Sequence, residues 1–136
     1  MAEKVAFELV SPEKLLLSKE VDLVVVPGAE GNFGVLPRHA PMISTVRPGV
    51  IEVYETRGQA SDRIFIAGGF AEVTPDRCTV LAEEALSVGD IDVAETEQRI
   101  RDLTEDVADA KTETERTSAA KALEAAKAKR EAAARA

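Results

Sequence analysis

Apolar and polar positions follow two different periods along this chain, and the change falls near residue 87. Val5, Phe7 and Leu9 alternate with Ala6, Glu8 and Val10, the period of two expected of a strand with one buried face. Asp22-Leu23-Val24-Val25-Val26 is rich in β-branched residues and stops at Pro27-Gly28. Met42 to Val46 stops at Arg47-Pro48-Gly49, and residues 50–55 follow as the predicted partner strand. A Pro-Gly pair presets the backbone of the first turn residue and permits positive φ at the second, as a type II turn requires. Further strands are predicted over residues 63–67, 70–73 and 78–83, with connections at Gly68-Gly69 and Thr74-Pro75-Asp76. About eight to ten short strands at close spacing predict a sandwich or barrel. No helix-length segment lies between them to provide parallel crossovers. Residues 1–86 therefore read as an all-β domain.

Residues 87–136 carry a helical period instead. Ile100, Leu103, Val107 and Ala110 mark one apolar face. Asp92 followed by Glu95 has the spacing of a helix start, and Thr112 with Glu115 marks a second. Residues 118–136 contain ten alanines and neither Gly nor Pro, so the second helix has high intrinsic propensity. Leu123 is its single large apolar residue. Small side chains let two helices approach closely but bury little area each. The expected arrangement is an antiparallel two-helix hairpin, marginally docked and able to move; a frayed, solvated helix is the alternative. The predicted fold class is mainly β plus α, a β domain of about ten strands with a helical hairpin behind it.

Charge sharpens this division. Residues 1–110 hold ten Lys/Arg against 21 Asp/Glu, whereas residues 111–136 hold seven against four. An acidic body lacks the basic stripe that phosphate-backbone binding needs, so nucleic acid is not an expected partner. No run of apolar residues is long enough to span a bilayer. The N-terminal MAEKVAFELV has neither a signal core nor transit character, so the protein is expected to stay where it is made. A single cysteine, Cys78, cannot form an internal disulfide, which suits a reducing compartment.

The only histidine lies in the stretch GNFGVLPRHAP, residues 31–41. Chemistry finds no footing there. Nucleophilic catalysis wants a Ser, Cys or Thr beside a base that a third group orients, and no G-x-S-x-G elbow is present. Cys78 lies in a strand pattern, where a buried inert thiol is expected. One Cys and one His cannot complete a structural zinc set. The segment Glu30-Gly31-Asn32-Phe33-Gly34 lacks the lysine of a P-loop, and Glu83-Glu84, adjacent on a strand, would point to opposite faces. No cofactor is implied. Two readings of the stretch stand. In one, Phe33, Val35 and Leu36, rimmed by Glu30, Arg38 and His39, form a preshaped patch for a protein partner. In the other, Phe33 and Val35 turn into the core and His39 caps a turn.

Five motifs in fixed order carry a resemblance: LVSPE (residues 9–13), PGAEGNFGVLPRHAPM (27–42), RPGVI (47–51), AGGFAEV (67–73) and TVLAEEA (79–85). Together with the Ala/Lys/Glu-rich tail, they closely resemble the epsilon subunit of bacterial F-type ATP synthases, whose mitochondrial homologues are called delta. The resemblance implies a flattened β-sandwich of about ten strands followed by two C-terminal helices. It implies a non-catalytic part of the rotor's central stalk, peripheral to the cytoplasmic face of the bacterial plasma membrane. The sandwich would clamp the gamma subunit and rest on the ring of c subunits, so that ring rotation drives gamma and ATP synthesis. The c-ring contact would take Glu30, Gly31, Asn32, Phe33, Arg38 and His39; the gamma contact would take Ser11, Met42 and Ser44. In some members the hairpin extends towards the catalytic alpha and beta subunits and blocks ATP hydrolysis, a role for which the resemblance puts forward Lys121, Lys127, Lys129 and Arg130. Other members bind ATP through Ile-Asp-x-x-Arg-Ala at the start of the first helix, which gives the alternative of an ATP-sensing module. Here Ile91 and Asp92 remain while Glu95 stands in place of the arginine. That leaves Asp92 as a helix cap.

Overall fold

The computed structural model describes residues 3–135. They divide between Ser87 and Val88 into two compact units.

Ten strands build the first unit: β1 (Val5–Val10), β2 (Leu15–Val21), β3 (Leu23–Gly28), β4 (Gly31–Val35), β5 (Met42–Val46), β6 (Gly49–Tyr54), β7 (Asp62–Ile66), β8 (Gly69–Val73), β9 (Arg77–Ala82) and β10 (Ala85–Ser87). Their order is β10-β7-β6-β3-β5-β8-β9-β1-β2, with β4 on β3. β1 and β9 run parallel; the other described pairings are antiparallel.

The sheet becomes a two-layered sandwich because β3 belongs to both layers. Residues Leu23, Val24 and Val25 pair with β6, whereas Gly28 pairs with Val46 of β5. Alternation along the strands aims one set of side chains inward. Val5, Phe7, Leu9, Val24, Val26, Ile51 and Val80 are all buried in one cluster, as the period of two requires.

The backbone switches layers a second time at Asp22, the single residue between β2 and β3. Its N–H donates to Tyr54 O at 2.8 Å. Its carboxylate accepts from Lys4 Nζ at 2.8 Å and from the Arg57 N–H at 3.1 Å. Nearby, Lys19 of β2 donates to Glu55 at 2.7 Å and to Asp62 at 2.9 Å. Gly69 opens β8 at φ 153°, and a Cβ there would lie 1.9 Å from Leu81 O; the β8–β9 approach excludes any other residue.

Two local readings are corrected. The stretch from Gly31 is not a loop throughout: residues 31–35 form β4, and β3 runs through Pro27-Gly28 to a turn at Ala29-Glu30. Gly and Asn are poor strand formers in isolation, but the five-residue register with β3 overrides that preference. Residues Gly49–Tyr54 form β6 as a strand, but it pairs with β3 and β7 and not with β5, the partner expected of it, because β3 lies between the two in the sheet order.

In the second unit, a 3-10 turn at Val88–Asp90 leads to α1 (Val93–Asp109) and α2 (Glu113–Ala134). Both expected caps are present. Asp92 Oδ1 accepts from Glu95 N at 3.0 Å, and Thr112 Oγ1 accepts from Glu115 N at 3.1 Å. Glu115 also reaches back to the Lys111 N–H at 3.1 Å, so two orphan donors are satisfied at the second start. The helices are antiparallel: Glu97 near the start of α1 meets Arg130 near the end of α2 at 3.7 Å. Ile100, Leu103 and Ala126 form their small core, flanked by Ala122 and Leu123.

Candidate docking surface

The β3–β4 tip is built by close approach. A Cβ on Gly28 would lie 2.8 Å from Gly31 O and 2.9 Å from the Phe33 ring, so the ring sits directly over this glycine. Gly31 follows the turn at φ 137°, in the range that favours glycine. Glu30, Gly31 and Asn32 are exposed, and Glu30 has no hydrogen-bond or ion-pair partner among the described residues. Asn32 is held: its Oδ1 accepts from Arg47 Nη2 at 2.7 Å, while Arg47 Nη1 donates to Gly28 O.

Arg38 and His39 lie at the other end of β4. β4 takes four residue steps from Gly31 to Val35, about 13 Å at about 3.3 Å per step, and Arg38 and His39 follow beyond that end. The single patch drawn from the sequence is therefore two surfaces. Arg38 takes φ 68°, a left-handed conformation uncommon outside glycine. Three contacts hold it: Arg38 N donates to Pro75 O at 2.8 Å, His39 N donates to Leu36 O at 3.2 Å, and the guanidinium pairs with Glu3 at 2.6 Å. His39 Nδ1 is 2.7 Å from Ala40 O. A carbonyl only accepts, so Nδ1 carries the proton and Nε2 is left as the ring's other polar atom.

Of the two readings of this stretch, the inward one describes its apolar residues. Val35 is fully buried and Phe33 packs against the core; Leu36 alone remains exposed. The Leu36–His39 hydrogen bond closes the turn expected there.

On β5, Met42 and Ser44 occupy the half-buried positions, Met42 against the core. Ser44 donates to Thr45 O at 2.9 Å. Ser11, after β1, bonds Lys14 in a tight turn. The outward neighbours are Ile43 and Thr45, and this outer face carries residues that sequence reasoning missed. Ile43, Phe70 and Leu81 are 75 %, 58 % and 44 % exposed on the adjacent strands β5, β8 and β9. Cross-strand register aligns Thr45, Phe70, Leu81, Val10 and Leu15 in one row. The signal available in the sequence was phase: each exposed residue is apolar where its strand's alternation calls for polar. Arg47 also escapes a reading that sees it only as a turn residue.

No catalytic set is brought together among the described residues. Among the described residues no cluster has the makings of a metal site. Burial pushes the Cys78 thiol up to about 12, which leaves no thiolate for chemistry near neutral pH. Among the described residues no helix is long and apolar enough to cross a membrane.

In the hairpin, Lys121, Lys127 and Arg130 are exposed and Lys129 is half-buried. Arg130 is engaged by Glu97. Ile91 is buried, Asp92 caps α1, and Glu95 sits in the first turn. A groove between the start of α1 and the end of α2 is lined by Glu97, Glu124 and Glu131 as well as Lys127 and Arg130. Three carboxylates beside two cations repel a triphosphate rather than cradle it.

Two family models match the sequence. One, described as ATP synthase, Delta/Epsilon chain, beta-sandwich domain, matches residues 4–88. The other describes the C-terminal domain of the ATP synthase epsilon chain and matches residues 92–136. A relative named ATP synthase epsilon chain, from Rhodospirillum centenum, is 61 % identical over 120 residues, covering 85 % of this chain and 82 % of the relative. Its counterpart in Paramagnetospirillum magneticum is 54 % identical over 123 residues, covering 90 % and 92 %. Among solved structures, a subunit of the Euglena gracilis mitochondrial ATP synthase superposes with a TM-score of 0.80 at 23 % identity, over 94 % of this chain and 80 % of that one. A subunit from the Tetrahymena thermophila central stalk and c-ring gives 0.65 at 12 % identity, over 97 % and 98 %. At those identities the two structures speak for the fold alone.

Proposed function

Because the protein belongs to the epsilon family of ATP synthase subunits, we propose that it serves as a non-catalytic subunit of the rotor's central stalk, linking rotation of the c-ring to the gamma subunit. The observation that carries this reading is the exposed apolar group on β5, β8 and β9, Phe70 opposite Leu81 with Ile43 on the same face two residues along β5 from the Phe70 partner Thr45. Contiguous exposed apolar side chains on an otherwise well-buried sandwich want a protein cover, and gamma is the partner this reading assigns. Ile43, Phe70 and Leu81 form the centre of that contact, with Ser11 as a further gamma-facing position; Met42 and Ser44, on the opposite phase of β5, back the face from within. The c-ring contact falls to the β3–β4 tip: Glu30, Gly31 and Asn32, with Phe33 as the rigid backing. Arg38 and His39, at the far end of β4, are the more distant candidates for that contact. On this reading the subunit sits peripherally at the cytoplasmic face of the bacterial plasma membrane.

The hairpin takes the second role, a brake on ATP hydrolysis. Lys121, Lys127, Lys129 and Arg130 would pair with acidic segments of the catalytic subunits. The ATP-sensing alternative draws no support from the carboxylate-lined groove.

Binding to purified gamma tests the main reading. Ile43→Ser with Phe70→Ser alters exposed residues only, so the fold should persist while affinity falls by about tenfold or more. Unchanged affinity in the folded variant would reject this face as the gamma surface. For the brake, hydrolysis by the catalytic complex is measured with the intact protein and with the four basic residues changed to glutamine. Relief of inhibition is expected; equal rates would refute the assignment.

A further inference from the structure

The β3–β4 tip has a mechanical weakness and a single side chain that answers it. β4 pairs with β3 and with no other strand, and Gly28 and Gly31 at its turn add backbone freedom. The Phe33 ring covers Gly28 from one side. Arg47 supplies a tie from a different strand. It follows β5 directly, yet its guanidinium donates to Gly28 O at the end of β3 and to Asn32 Oδ1 on β4, the latter at 2.7 Å. One fork thus joins the ends of three strands.

The base of that fork is itself fixed. Arg47 N donates to Pro27 O and Ala29 N donates to Thr45 O, each at 2.9 Å. Both guanidinium acceptors are neutral, so the contact is a charge-assisted hydrogen bond rather than an ion pair. It is thereby less sensitive to salt than a surface salt bridge. The planar fork also explains why an arginine fits: a lysine ammonium is a point donor on a flexible stem, without the paired geometry that spans two acceptors.

From this arrangement we infer that Arg47 is the positioning residue of the docking tip, holding Asn32 and the turn in one geometry so that load on the tip passes into the β3–β5 junction. The inference rests on the reading of the tip as the c-ring contact. Arg47 touches the partner only through the tip it shapes.

The test uses the full-length protein and the whole ATP synthase. In the isolated protein, Arg47→Met keeps the aliphatic stem and removes the fork. Amide hydrogen exchange should accelerate about tenfold at residues 29–33, the worth of roughly one lost hydrogen bond, while Ala71 and Val80 in the core keep their rates. In vesicles carrying the assembled enzyme, ATP-driven proton pumping per ATP hydrolysed should fall severalfold. Arg47→Lys combined with Asn32→Asp puts an ion pair in place of the Asn32 arm of the fork and should recover part of the pumping. Asn32→Ala, an exposed change, cuts one arm of the fork and should reproduce the local exchange effect even if Arg47→Met folds poorly.

Acceleration spread over the whole sandwich would make Arg47 a general stability residue and overturn the inference. A control changes the tip's own charge with Glu30→Lys. If that control lowers pumping and Arg47→Met does not, the inference fails while the tip remains the docking element. If neither changes pumping, the docking reading itself is wrong and the inference falls with it.

Discussion

The sandwich and the hairpin solve the same problem, burying apolar surface, at very different depths. The sandwich encloses Phe7, Leu9, Ile51 and Ile66 between two layers, all essentially inaccessible. The hairpin has Ile100, Leu103 and Ala126, with Ala122 and Leu123 at the margin. Its second helix offers alanines where the sandwich offers β-branched and aromatic residues. The contacts differ in range as well. Phe7 pairs across strands with Cys78, whereas α1 and α2 are joined by a link of three residues, 110–112. Long-range pairing folds slowly and cooperatively; a local helical pair forms fast and opens at low cost. The difference suits the division of roles proposed above, a coupling body and a braking arm.

The two regions can be followed separately. Tyr54 is the only tyrosine, no tryptophan is present, and Tyr54 lies on β6, so tyrosine fluorescence reports the sandwich. The long helices dominate the circular dichroism signal at 222 nm. Phe7→Ala should have the largest effect, roughly 3–5 kcal/mol off the sandwich, read as an earlier urea midpoint by fluorescence. A loss below about 1 kcal/mol would mean that the layers collapse onto the vacated space. Leu103→Ala should cost the hairpin about 2 kcal/mol, the low end of the range because its neighbours are small. Helicity should melt earlier while the Tyr54 transition stays in place; if the two transitions move together, the regions are one cooperative unit and the contrast collapses. Thr112→Ala removes the α2 cap and should cost about 1 kcal/mol by the same helical signal.

The smallest effect expected is pH-dependent and belongs to the sandwich corner. The hydrogen bond from Lys4 holds the Asp22 carboxyl below its ordinary value, despite some opposing desolvation, with help from the Arg57 N–H. A group depressed in the folded state binds its proton less readily than in the unfolded chain. Its contribution is therefore present above the ordinary carboxylate value and is lost as pH falls through the lower folded value. Asp22→Asn should remove that part of the acid sensitivity, so the variant's urea midpoint should change less between pH 5 and pH 2. An unchanged slope would remove Asp22 from the acid-sensitive groups. Lys19 has the opposite sign. Hydrogen bonds to Glu55 and Asp62 raise it, so its contribution is full below the ordinary lysine value and is lost at still more alkaline pH.

Much of this protein was legible along the chain because it depends on near neighbours. Alternation in β1, the helical face through Ile100 and Leu103, and the caps at Asp92 and Thr112 need only a few adjacent residues to specify them. The ordered motifs were likewise enough to suggest the family. What the sequence did not disclose comes from pairing between distant segments. Gly31 to Val35 become a strand only because β3 lies alongside, and that strand splits one apparent loop into two surfaces. Ile43, Phe70 and Leu81 become a face only because β5, β8 and β9 stand side by side in register. Arg47 becomes a clamp only because the sheet turns its corner at Gly28. Local chemistry determined most elements of this protein, β4 excepted; the register between remote strands decided which side chains meet, since position in the chain does not encode proximity in a folded sheet.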